Sequence, residues 1–134
     1  MAMFDSLGIA ASGLLAHRQW LDAVSDNIAN INTATPTSQS AFKERYIQAQ
    51  AVDYGSGEGG VAVTAAQFGN GTGRVVYEPN NPLADPTGYV RYPDIDLGDQ
   101  MAQLIIAQRG YQANLQTIDR ATKSYQAALQ LGKG

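Results

Sequence analysis

Apolar side chains recur every seven residues near both ends of the chain, and the pattern breaks down between them. Near the N-terminus Leu7, Leu14, Leu21 and Ile28 stand seven apart, and Met3, Ala10, Val24 and Ile31 fill most of the intervening positions. Near the C-terminus Leu97, Leu104, Tyr111, Ile118 and Tyr125 repeat the interval, with Met101, Leu115 and Leu129 between them. Seven-residue spacing gathers side chains on one narrow helical face, the seam geometry of a coiled coil. The pattern predicts helices from about Met3 to about Asn30 and from about Leu97 to about Leu131, roughly 40 and 50 Å long at a rise of about 1.5 Å per residue. Helices of this kind are built to pack on other helices.

The first helix is slim over Gly8, Ala10, Ala11, Ser12, Gly13 and Ala16. Small residues admit a close neighbour, while each glycine costs about 1 kcal/mol of intrinsic helicity. Asn30, Asn32 and Thr33 weaken the helix and Pro36 ends it. Asp94 or Asp96 is placed to cap the second helix, Gly132 to stop it, and Gly110 to admit a close crossing or mild bend.

Between the helices the readings are shorter. Thr33 to Ser40 is polar and turn-rich, and Phe42 to Val52 fits either a strand or a short helix. Tyr54 to Gly60 reads as a flexible glycine-rich loop. Val61 to Phe68 and Arg74 to Tyr77 read as a β-hairpin joined at Asn70-Gly71. Glu78 to Gly88 holds three prolines, which exclude regular structure there. Tyr89 to Tyr92 is a short extended piece. The expected fold is mainly α with a small β region. It divides into an N-terminal core helix (1–32), a middle β/loop domain (33–96) and a C-terminal core helix (97–134).

Composition sharpens this picture. Of 134 residues 44% are hydrophobic, which is ordinary for a folded protein. Much of that share is alanine, with one Trp and three Phe, so a private core would be thin. Helices that cannot bury their stripe alone need partners. The net charge is −3 and no basic run exists, which argues against nucleic acid as a partner. No cysteine is present, which removes disulfides and thiolate chemistry. No apolar stretch reaches the roughly 20 residues of a bilayer span. Met3 to Ala16 lacks a positive flank and continues as helix, so no cleaved signal peptide is expected.

Candidate chemistry is sparse. His17 is the only histidine and has no Cys or carboxylate at metal-ligand spacing, so it reads as a packing residue. The loop over Gly55 to Gly60 is followed by neither a lysine nor a helix start, so it is no phosphate cradle. Asn70-Gly71-Thr72 has the letters of a glycosylation acceptor but is more simply a turn. Asp94, Asp96 and Asp99 cluster at a helix start, where the dipole favours them. No catalytic, cofactor or metal site is expected, and the chain does not read as an enzyme. The amide-rich run Asp26 to Thr33 is different. Asparagines can bond backbone groups and fix the chain's exit direction, making a shaped junction between a helical layer and the next domain.

That run, Asn27-Ile28-Ala29-Asn30-Ile31-Asn32-Thr33, resembles the signature of bacterial flagellar rod and hook axial proteins. Arg109, Tyr111, Ala113 and Asn114 resemble that family's C-terminal pattern, and Val76 to Asp85 with Gly88 to Asp96 resembles its short proximal-rod type. The resemblance implies a structural subunit of the rod, the drive shaft crossing the periplasm. It implies export by the flagellar type III apparatus, and terminal helices packed with those of neighbours into a tube around the export channel. Implied partners are FlgB, FlgF and FlgG, the rod-base adaptor FliE, the export apparatus and further copies of the chain. Expected interface residues are Leu7, Leu14, Leu21, Val24, Ile28 and Ile31 on the first helix. On the second they are Met101, Leu104, Arg109, Tyr111, Asn114, Leu115, Ile118, Tyr125 and Leu129. The signature residues are Asn27, Ala29, Asn30, Asn32 and Thr33. The rival reading is a stand-alone coiled-coil adaptor or export chaperone.

Overall fold

A computed structural model of the chain describes residues 2–55 and 58–132. Two long helices, α1 (Ala2–Asn30) and α2 (Leu97–Leu131), bracket five strands: β1 (Thr35–Pro36), β2 (Arg45–Gly55), β3 (Glu58–Phe68), β4 (Arg74–Tyr77) and β5 (Tyr89–Tyr92). The mainly helical fold with a small β region is as the hydrophobic pattern implies. Asp96 caps α2 by accepting from the Asp99 N–H, and the Gly132 N–H closes its last turn on the Ala128 carbonyl.

The helices run antiparallel. Asn27 meets Gln100, Trp20 meets Gln103, and His17 and Gly13 meet Asn114 and its neighbours. Small residues set the distance between them. A Cβ on Gly13 would lie 2.8 Å from Asn114 Nδ2, and one on Gly110 only 2.1 Å from His17 Nε2. Ala10, Ala16, Ala23, Val24 and Ala107 are buried along this contact, with Asn27 and Gln100. The core is thin and alanine-rich.

This packing turns α1 away from its leucine row. Ala10 and Val24, from the intervening row of the heptad, are buried with Gly13, Ala16, Ala23 and Asn27, while Leu7, Leu14, Leu21 and Ile28 are half-buried. The closest approach of two backbones needs the smallest side chains, so the leucines are left to flank it. On α2 the inward row is Gln100, Leu104, Ala107, Tyr111, Asn114, Ile118 and Ala121, in alternating steps of four and three.

The strands pair differently from expectation. β3 pairs antiparallel with β2, from Arg45 opposite Phe68 to Gly55 opposite Glu58, with irregularities at Gln48/Ala49 and Asp53/Gly55. β4 pairs with β5, and β5 with β1, in a sheet ordered β1-β5-β4. No hairpin therefore joins β3 to β4 at Asn70-Gly71. Instead Gly69 to Gly73 links the two sheets, with Gly69 N–H donating to the Glu44 carbonyl and Ala41 N–H to that of Gly71. The physical reason is ladder length. β3 and β2 are each 11 residues long, so they satisfy each other's backbone groups, whereas β4 offers only four residues.

The glycine-rich stretch is likewise structured in part. Gly59 and Gly60 belong to β3, and Gly55 ends β2. Ser56 and Gly57, at the centre of the expected loop, lie outside the described residues. The β2–β3 hairpin lies along α1, where Val61 N–H donates to Ser12 Oγ at 3.0 Å. Val90 and Ala41 form the small core of the β1-β5-β4 sheet. Gly73 (φ +60°) passes so close to the Tyr92 carbonyl that a Cβ there would overlap it. Glu78 to Gly88 is a run of turns around Asp85, whose carboxylate accepts from the Thr87 and Thr37 hydroxyls and the Thr87 and Tyr89 N–H groups.

Candidate assembly surface

The junction between helices and strands is built on one side chain. Asn27 is 1% exposed. Its Oδ1 accepts from the Arg45 N–H at 2.8 Å, and its Nδ2 donates to the Arg45 carbonyl and to Gln100 Oε1, both at 3.0 Å. The amide thus pairs with both backbone groups of Arg45 as a neighbouring strand would, and ties α2 into the same node. A buried amide with every polar atom used fixes geometry as well as stability. Gln100 Nε2 donates in turn to Glu44 Oε1 at 2.6 Å, and Arg45 pairs with Asp26 at 2.5 Å.

The Tyr46 hydroxyl donates to the other Glu44 oxygen at 2.5 Å. That hydrogen bond, reinforced by partial burial, pushes the Tyr46 phenol up to about 12. The Tyr92 phenol is raised in the same way by Glu78. The hydroxyl of Thr87, the Tyr89 N–H and the hydroxyl of Thr37 hold Asp85 well below the usual carboxylate range.

The other signature residues separate into roles. Asn30 Nδ2 donates back to the Asp26 carbonyl at 2.8 Å, and Thr33 Oγ1 donates to Asn30 Oδ1, closing the end of α1. Ala29 and Asn32 are exposed. Of the expected α1 interface set, Val24 is buried inside the chain and Leu7, Leu14, Leu21, Ile28 and Ile31 are half-buried. On α2, Leu104, Tyr111, Asn114 and Ile118 line the contact with α1, and Arg109 is exposed.

The remaining α2 residues face outward. Leu97, Met101, Ile105 and Leu115 are between 44% and 50% exposed on one stripe beside the α1 contact, and Tyr125 and Leu129 are exposed further along. Leu97 and Ile105 were absent from the expected interface set, although each stands four residues from Met101. Glu44, Arg45 and Gln100 were also missed; nothing local in the sequence marks them as partners of Asn27.

His17 Nδ1 lies 2.7 Å from the Gly13 carbonyl and 3.3 Å from the Asn114 side-chain amide. The ring packs over Gly110, a packing role as expected. Among the described residues no cluster of metal-ligating side chains occurs, and no helix is long and apolar enough to cross a membrane.

Two antiparallel terminal helices, an outward apolar stripe and an asparagine junction define a helical assembly subunit. Residues 7–37 match the family described as "Flagella basal body rod protein", and residues 87–131 match "Flagellar basal body rod FlgEFG protein C-terminal". Over the whole length the chain is similar to flagellar basal-body rod proteins FlgC. It is 33% identical to that of Salmonella typhimurium (99% of this chain, 100% of the relative). It is 31% identical to that of Borreliella burgdorferi (100% of both) and 28% to that of Bacillus subtilis (99% and 100%). The chain belongs to the FlgC family of flagellar basal-body rod proteins. It is a structural component of the rod, located in the flagellar basal body and associated with other rod components.

Proposed function

We propose that the chain is a proximal-rod subunit whose terminal helices pack with those of neighbouring subunits into a torque-transmitting tube around the export channel. The observation that carries this reading is the outward stripe Leu97, Met101, Ile105 and Leu115 on α2. An isolated domain has no use for so long a row of exposed apolar side chains, and a helix-on-helix neighbour covers it well. On α1, Ile9 and Leu15 are exposed as well. Heterologous contacts between such faces propagate into a helical filament.

In this reading Met101, Leu115, Tyr125, Leu129 and Arg109 meet neighbours, while Val24, Leu104, Tyr111, Asn114 and Ile118 hold the helical pair together. Leu7, Leu14, Leu21, Ile28 and Ile31 serve both at the margin. Segments 1–32 and 97–134 form the inner helical layer and 33–96 the outer domain. The neighbours are FlgB, FlgF, FlgG, FliE and further copies of the chain. The subunit reaches the periplasmic rod through the flagellar type III apparatus and acts there without catalysis.

Mass spectrometry of stringently washed hook–basal bodies tests this. Stoichiometric retention of the chain, lost with Met101→Asp, is the expected result. Absence from intact particles while the protein is abundant in the soluble fraction would overturn the proposal in favour of an adaptor.

A further inference from the structure

A polar cleft opens between the Thr37 to Ser40 turn and the link between the two sheets. Its volume is about 400 Å³ and its walls carry Lys43, Arg91 and the hydroxyl residues Thr37, Ser38, Ser40 and Thr72. No acidic residue lines it. In a chain with 12 acidic and 9 basic residues, that is an uneven local charge.

Both cations lack an anion. Among the described residues the ion pairs are Arg45–Asp26 and Lys123–Asp119, so neither Lys43 nor Arg91 contacts a carboxylate. The Arg91 guanidinium donates to the carbonyls of Thr72 and Thr37, which fixes the fork across the two loops but leaves its charge uncompensated. The stem of Lys43 lies against Gly71, within 3.3 Å of where a Cβ would stand. One fixed guanidinium charge and one ammonium on a flexible stem, beside Ser38, Ser40 and Thr72 (the Thr37 hydroxyl is spent on Asp85), suit an oxyanion. Lys43 and the link at Gly71 and Thr72 fall between the segments 7–37 and 87–131 that match the rod families, while Thr37 and Arg91 fall within them.

We propose that this cleft is a docking site for a carboxylate on an acidic polypeptide segment of a neighbouring protein. A single carboxylate asks less of the donors than a phosphate does: both terminal nitrogens of Arg91 already donate to backbone carbonyls, which leaves the Lys43 ammonium as the direct partner and Arg91 as a fixed charge behind it. The cleft is lined by loop and strand residues and by none of α2, so it is a different surface from the outward stripe.

The test is backbone-amide NMR of the full chain during titration with a tetra-glutamate peptide, beside tetra-lysine and inorganic phosphate. The expected result is saturable shifts at Ser38 to Lys43 and at Gly71 and Thr72 with tetra-glutamate alone. These weaken about tenfold in Lys43→Gln and recover in Lys43→Arg. They disappear as salt rises from about 20 mM to about 0.5 M. Lys43 is exposed, so these variants keep the parent's melting temperature. Absence of shifts, shifts indifferent to Lys43→Gln, or tighter binding of phosphate than of the peptide would each overturn the assignment.

Discussion

At the scale of single residues, two side chains decide how the helices meet the rest of the chain. Asn27→Ala strands the N–H and carbonyl of Arg45 and removes a partner of Gln100. Leaving buried polar groups unpaired costs about 1–3 kcal/mol each, so a loss of roughly 2–4 kcal/mol is expected by urea denaturation. Asn27→Asp should be no better, because an acceptor would then face the Arg45 carbonyl. Gly110→Ala forces a methyl onto the His17 ring and should cost about 1–3 kcal/mol, restored in part by His17→Ala.

Asp85 adds a pH dependence. Its folded-state pKa is depressed, so its stabilisation is present above the ordinary carboxylate value near 3.9 and fades as pH falls below that. Tyr46 has the opposite sign: its contribution is full below about pH 10 and is lost as pH rises toward about 12. Denaturation midpoints across pH 2–5 for Asp85→Asn against the parent check the acid limb, and the variant's curve should be the flatter one.

At the scale of elements, α2 serves two partners with one sequence. Its row from Gln100 to Ala121 packs on α1, and the stripe Leu97, Met101, Ile105 and Leu115 beside it stays open. Met101→Asp and Leu115→Asp should leave the melting temperature within about 2 °C, because exposed positions rarely shift stability by more than about 0.5 kcal/mol. The same changes should abolish swarming and rod incorporation. A matching fall in melting temperature would show that these residues support the fold rather than assembly. The antiparallel register also leaves α2 longer than α1 by six residues, 35 against 29, so Leu129 and Leu131 have little of the chain to cover them.

At the scale of the whole molecule, a thin alanine core holds two helices far longer than the β region needs. Exposed apolar side chains at 43% on Ile9, 48% on Leu129 and 84% on Leu131 leave the outer turns weakly held in the free subunit. Hydrogen exchange on a verified monomer should find the outer turns of α1 and α2 fast, and the amides around Gln100, Ala107 and Val90 slow. The outer turns should gain protection in assembled rods. Strong protection of both ends in the monomer would sink this expectation.

What the sequence determined by itself was local. The heptad rows set the extents of both helices, an acidic cap at Asp94 or Asp96 marked the start of α2, and the prolines between Glu78 and Gly88 barred regular structure. These follow from forces between residues close in the chain, which a pattern of side chains records directly. The asparagine run announced a junction for the same reason. The tertiary structure alone decided which strands pair, because an Asn-Gly turn signal is weaker than the ladder available between two strands of equal length. It also decided which face of α1 is buried. Hydrophobicity marked the leucines, but the contact distance of two backbones is set by Gly13, Gly110 and the alanines, and only packing reveals that. The partners of Asn27 were hidden because Arg45 and Gln100 stand 18 and 73 residues away, and Arg45 offers backbone groups that every residue possesses.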